Sequence, residues 1–261
     1  MALSNPAFGA RSFPVATTNA PTMSAEKLEE LYGRPSASPV ETDRMSYEDT
    51  TVKTVVTLLL VLAGGVVGYF IPALALPFAL IGFVLALVNI FKKKPSAALV
   101  LAYGAAAGIF LGGLSRIVEA NAPGIIFQAL IGTGIVFGVT LALFASGKVR
   151  ASKKLTKVFL VAIIGYGVFQ LLNLVLMFTG VLNNPFGLYG ATIFGIPLGI
   201  VIGIFAVLMG AYSLVLDFDF IQRGVQNRAP AKYGWTGAFG IMVTVIWIYV
   251  EILRLLAITR N

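Results

Sequence analysis

Residues 54–73 read TVVTLLLVLAGGVVGYFIPA, twenty positions without a charged side chain. Roughly 20 apolar residues in a helix are what the hydrocarbon core of a bilayer requires, because each residue rises about 1.5 Å. Similar runs follow at about 76–91, 97–120, 124–145, 155–182, 189–216 and 233–258. The reading is an all-α polytopic membrane protein, with a seven-helix transmembrane domain over 52–261. The second run is short and the link at 72–77 is tight, so the first two runs form either two crossings or a re-entrant hairpin. The fifth and sixth are long enough to tilt or kink, and Pro197 lies within the sixth.

Composition agrees with a membrane protein. Apolar residues make up 58% of the 261 and charged residues 11%, against roughly 45–50% and roughly 25% in soluble domains. Histidine and cysteine are absent. That excludes disulfides, thiolate metal sites, HExxH peptidases and a Ser-His-Asp triad. Seven of the eleven acids precede residue 50, in a stretch rich in Ser, Pro, Ala and Thr. Residues 1–51 are therefore expected to form a disordered tail, since they cannot bury enough apolar surface to offset the entropy of ordering. Within it, a short helix over 25–32 capped by Ser24 is expected.

Net charge is +8, which suits either nucleic acid or an anionic membrane surface. The placement of the basic residues decides. The six links between successive runs carry 0, 3, 0, 5, 0 and 3 Lys or Arg, and residues 1–53 before the first run carry five more. Short loops rich in Lys and Arg stay in the cytoplasm. The expectation is a multi-pass protein of the cell membrane, N-terminus cytoplasmic, with the bilayer and not nucleic acid as its partner. Arg254 in the seventh run and Arg260 just after it oppose that bias at an outer end.

Seven charges fall elsewhere: Arg116, Glu119, Asp217, Asp219, Glu251, Arg254 and Arg260. Ionisable groups in apolar spans cost about 2.5–3.5 kcal/mol each on insertion scales and usually face a bundle interior or a water path. Arg116 and Glu119 are three apart, as are Glu251 and Arg254, so each set can pair on one helix face. The first is expected to be an interfacial pair at the membrane surface. Asp217 and Asp219 differ by roughly 200° around a helix, so one is expected to face the bundle and the other the solvated loop. Acids are also the wrong sign for a helix C-terminus. The glycines at 104/108/112 and 195/199/203 are expected to let helices pack closely.

Leu216-Asp217-Phe218-Asp219 ending span six, Tyr249-Val250-Glu251 with Leu253-Arg254-Leu255-Leu256 ending span seven, and Asn89-Ile90-Phe91-Lys92-Lys93-Lys94 ending span two stand in a set order. Together with the seven spans and the cytoplasmic N-terminus, they resemble the Bax inhibitor-1 family, also called transmembrane BAX inhibitor motif proteins, in a bacterial member. The resemblance covers roughly residues 50–258. It implies six helices around a central C-terminal seventh and a pH-sensitive calcium leak channel. It also implies a sensor of two carboxylates, one ending span six and one in span seven, sharing a proton and latched by a basic residue that ends span two.

Carried onto this chain, the first carboxylate matches Asp217 and the latch matches Lys93. Aligning on Tyr249-Val250-Glu251 makes Glu251 the second; aligning on Leu253-Arg254-Leu255-Leu256 puts Thr244 there, with Glu251 two turns further along the same face. Two carboxylates close together at low dielectric titrate as a unit. Asp217 and Glu251, with Asp219 beside them, are the expected ion path and pH sensor. Their oxygens suit a hard cation, so both are candidate Ca²⁺ ligands, Ca²⁺ being the permeant ion and not a cofactor. Lys93 and Arg254 are the expected latch or ion-pair partners. No catalytic residue and no enzyme activity is expected. An intramembrane aspartyl protease lacks its Gly-x-Gly-Asp motif here. A non-conducting regulator that binds other membrane proteins through the acidic tail is the alternative, and transport of a small solute a further one.

Overall fold

A computed structural model describes residues 43–260, apart from Asn183 and Pro185, together with Ser24 and Glu29. The expected tail disorder, and the expected 25–32 helix but for Glu29, lie outside the described residues. Among the described residues, seven helices are long and apolar enough to cross a membrane. They are α1 (Tyr47–Phe70), α2 (Ala75–Phe91), α3 (Ala97–Glu119), α4 (Ile125–Ala145), α5 (Lys153–Phe178), α6 (Leu198–Gln226) and α7 (Gly234–Arg260). The chain is a multi-pass membrane protein. The first two runs are separate helices, joined by a 3₁₀ turn at Pro72–Leu74.

Helix boundaries follow local chemistry more than hydropathy. α1 starts seven residues before the apolar run, within the expected tail. Ser46 is its cap, accepting from the Asp49 amide at 3.1 Å, and Glu48 and Asp49 lie in its first turn. The side chain satisfies a free amide and the acids oppose the positive helix end. α6 starts nine residues later than expected. The segment before it forms a 3₁₀ turn at Gly187–Gly190 and a hairpin pairing Thr192–Ile193 with Ile196–Pro197. Phe194 and Gly195 close the hairpin at φ 53° and 80°, the left-handed pair that a two-residue hairpin loop needs. Gly195 is thus a turn residue and not a packing glycine. Pro197 precedes the first helical turn, where its missing N–H costs nothing, and does not kink the helix.

Small residues set the closest crossing, between α1 and α3. A Cβ on Gly108 would collide with the Val61 carbonyl, and one on Gly112 with the Gly65 carbonyl; Gly64 and Gly68 meet the α3 backbone in the same way. The two backbones touch without side chains between them. Gly112→Ala is expected to lower the unfolding free energy of the detergent-solubilised protein by about 1–3 kcal/mol, the usual cost of overpacking. Gly134→Ala, inside α4 where a Cβ meets nothing within 4 Å, should not lower the melting temperature.

α7 is the central helix. Ala238, Ile248 and Leu253 are buried in it. α1, α3, α4 and α6 pack along its length, α5 reaches it through side chains, and α2 is held mainly through α3. The glycine face of α6 takes the large residues of α7: Gly210 meets Ile248, Gly203 meets Leu255 and Gly199 meets Ile258. Residues 43–45 run along the α6–α7 link, with the Met45 amide on the Ala229 carbonyl (2.7 Å) and the Ala231 amide on the Asp43 carbonyl (2.9 Å). At the other end of α7, Arg260 donates to the Pro123 carbonyl (2.9 Å) and to Gln128 (2.8 Å) in and just after the α3–α4 link. α7 therefore runs the full height of the bundle. The links at 92–94, 148–157 and 223–232 lie on one side with residues 43–46, which makes that side the basic face of the bundle.

Candidate functional site

α6 continues to Gln226, so Asp217 lies nine residues inside the helix, about 14 Å from its end. The expectation of an acid at a helix C-terminus is corrected by that length. Ser213 and Asp217 are four apart and share a face, turned to α7. Asp217 Oδ2 accepts from the Thr244 hydroxyl at 2.7 Å, and the Ser213 hydroxyl lies 3.1 Å from the same Thr244 oxygen. The space for the carboxylate comes from Gly240, one turn before Thr244: a Cβ there would stand 2.6 Å from Asp217 Oδ1. No ion pair of Asp217 is found among the described residues. Asp219 points elsewhere and pairs with Arg223 at 2.6 Å, an i,i+4 bridge between a half-buried acid and an exposed arginine. The divergence of the two acids follows from their 200° separation.

Glu251 does not meet Asp217. It lies seven residues beyond Thr244, about 10 Å along α7, where α6 presents residues between Gly210 and Gly203 and no acid. Its carboxylate is 1% exposed and fully engaged. It accepts from the Tyr166 hydroxyl and from Trp247 Nε1 (3.1 Å), and it ion-pairs with Arg254. Arg254 also donates to Tyr166 (2.7 Å) and lies over the Tyr189 ring at 4.0 Å. Gln170 donates to Tyr166 (2.7 Å) and accepts from Tyr189 (2.7 Å). This network ties α5 and the Gly187–Gly190 turn to α7. A buried charge needs such partners, since an isolated one is very costly.

The expected Asp217–Glu251 carboxylate pair is thus corrected to two separate sites. The two cannot ligate one Ca²⁺, and no cluster of three or more acids that could hold a metal occurs among the described residues. Lys93 is exposed beyond the end of α2, with no hydrogen bond or ion pair among the described residues, so no latch contact forms. Arg116 and Glu119 do not pair either. Arg116 sits over the Tyr69 ring at 5.2 Å and donates to its hydroxyl (3.2 Å). Glu119 accepts from the Gly124 (2.6 Å) and Ile126 (3.1 Å) amides at the start of α4, where free amides and the positive helix end favour a carboxylate.

A family profile described as Bax inhibitor 1 like matches residues 5–261. The chain belongs to the Bax inhibitor 1-like family. Comparison with curated proteins gives no significant match. In this Bax inhibitor 1-like protein, the α7 residue that meets the span-six acid is Thr244, as the alignment on Leu253-Arg254-Leu255-Leu256 has it. Sequence reading missed Tyr166, Gln170, Tyr189 and Trp247. The available signal was polar: Tyr166, Gln170 and Asn173 recur at helical spacing on one face of an apolar span.

Proposed function

We propose that the protein is a passive cation pathway of the cell membrane, calcium preferred, with its N-terminus and basic face in the cytoplasm. Asp217 alone is its pH-responsive group. The supporting observation is the carboxylate of Asp217, inside the bundle on the α6–α7 seam and met by a hydroxyl with no counter-charge among the described residues. Charged groups in membrane helices are costly unless they serve a path or a partner. Ser213, Thr244 and Asp217 line up three kinds of oxygen-bearing side chain on that seam. Ca²⁺ takes six to eight oxygens in a resident site; so few suit an ion in transit. Protonation of Asp217 removes the negative charge from the α6–α7 seam and so couples cytoplasmic pH to conduction.

The orientation rests on the basic face carrying the Lys- and Arg-rich links. An aspartyl protease draws no support, because its two acids would need to share a proton and here they stand two turns apart. The test is calcium entry into proteoliposomes holding a trapped indicator, across pH 6–8. The expected result is entry above that of empty vesicles and dependent on pH. No entry at any pH, from protein whose thermal unfolding is cooperative, would overturn the reading and favour a non-conducting regulator.

A further inference from the structure

A groove of about 1140 Å³ runs between α1 and α4, with parts of α3, α6 and α7 behind it. Its α1 wall extends from Tyr47 to Phe70, about 35 Å along the helix, slightly more than a bilayer core of about 30 Å. The walls are apolar and exposed, with Val55, Leu58 and Leu62 on one side and Leu130 and Leu141 on the other. At the basic face the groove ends on Arg150. That guanidinium is exposed, lies over the Phe144 ring at 4.4 Å and, among the described residues, donates only to Gln222, at 3.4 Å. No carboxylate pairs with it among the described residues. The link that carries it, residues 146–157, holds Lys148, Lys153, Lys154 and Lys157 and no acid. Asp49, near the same end, is already bound to Lys53 at 2.5 Å.

We infer that this groove is a binding site for one anionic phospholipid of the basic-face leaflet, with its acyl chains between α1 and α4 and its phosphate on Arg150. The apolar walls match hydrocarbon, and a guanidinium with no acid partner at the mouth matches a phosphate, which it can hold bidentately. The four lysines of the link add attraction for net negative headgroups. A second copy of the chain in the same orientation would also cover apolar walls, but it would bring its own lysine-rich basic face into the same leaflet, like charge against like, whereas an anionic headgroup is attracted there.

The site is tested on full-length protein in a mild detergent, mixed with equal amounts of phosphatidylglycerol and phosphatidylcholine and weighed by native mass spectrometry. One retained phosphatidylglycerol per chain is expected, in preference to phosphatidylcholine. Arg150→Gln should reduce that preference by about fivefold, the worth of one basic residue at a membrane surface. Lys93→Gln, on another basic link, should retain it. Gly134→Phe should lower retention of both lipids; Gly134 lines the groove and a Cβ there meets nothing within 4 Å, so the ring enters the groove without a backbone clash. Retention of phosphatidylglycerol unchanged in both Arg150→Gln and Gly134→Phe would overturn the assignment. So would a lipid-free dimer that Gly134→Phe converts to monomer.

Discussion

Glu251→Ala is expected to lower the unfolding free energy in detergent by about 3–5 kcal/mol, the cost of breaking a buried ion pair from one side. The reason is the company Glu251 keeps. Its removal leaves Arg254 facing the Tyr189 ring and the Tyr166 hydroxyl with no negative charge nearby. It also takes away the acceptor for both Tyr166 and Trp247. α5 feels the loss most, because Asn173 is its single buried residue; this helix is held by polar contacts more than by apolar packing. Arg254→Ala should cost a similar amount. The double variant Glu251→Ala, Arg254→Ala should cost clearly less than the sum, because no unpaired charge is left behind. Chemical unfolding followed by tryptophan fluorescence reads all three, with Trp247 inside the network as reporter. Additive costs would show that the two side chains act independently.

Hydropathy carried the number and order of the spans, because a bilayer demands the same length of apolar helix each time. It could not place the ends. At α1 the deciding residues are Ser46, Glu48 and Asp49, polar groups that a hydropathy reading assigns to the tail although they are a helix start. At α6 the apolar run continues backward through Tyr189–Pro197, and only Gly187, Gly190, Gly195 and Pro197 mark it as non-helical. The candidate site was legible to the same degree. An acid in an apolar span stands out, so Asp217, Asp219 and Glu251 were all found. Arg254, three residues from Glu251 on the same helix, was legible as its partner; the partners on other helices were not fixed. Spacing along one helix fixes the angle of a side chain about that helix and says nothing of the register between two helices. Asp217 therefore turned out to face Thr244, with Glu251 two turns away. Arg116 and Glu119 failed in the same manner: three apart on one helix, each found a better partner on another element, a tyrosine ring for one and the free amides of α4 for the other.

Asp217→Asn is expected to abolish the pH dependence of calcium entry into proteoliposomes between pH 6 and 8 while leaving a folded protein. Asparagine keeps the shape and can still accept from the Thr244 hydroxyl, so only the titratable charge is lost. If Asp217 is the sole sensor, the residual flux should be flat with pH; a slope equal to that of the unaltered protein would remove Asp217 from the mechanism. Thr244→Asp makes the complementary change. Thr244 already approaches Asp217 to 2.7 Å, so an aspartate there sets two carboxylates against each other on the α6–α7 seam, the arrangement that the family resemblance implies. Groups that close titrate as a coupled pair with two macroscopic steps. The flux profile should change from a one-site curve to a two-step one, and Asp217→Asn in that background should return it to a single step. Thr244→Val, which removes the hydroxyl and leaves the shape, should keep the single step, because it adds no second titratable group to the seam. A Thr244→Asp profile indistinguishable from that of the unaltered protein would mean that the seam between α6 and α7 is not where a proton controls the ion.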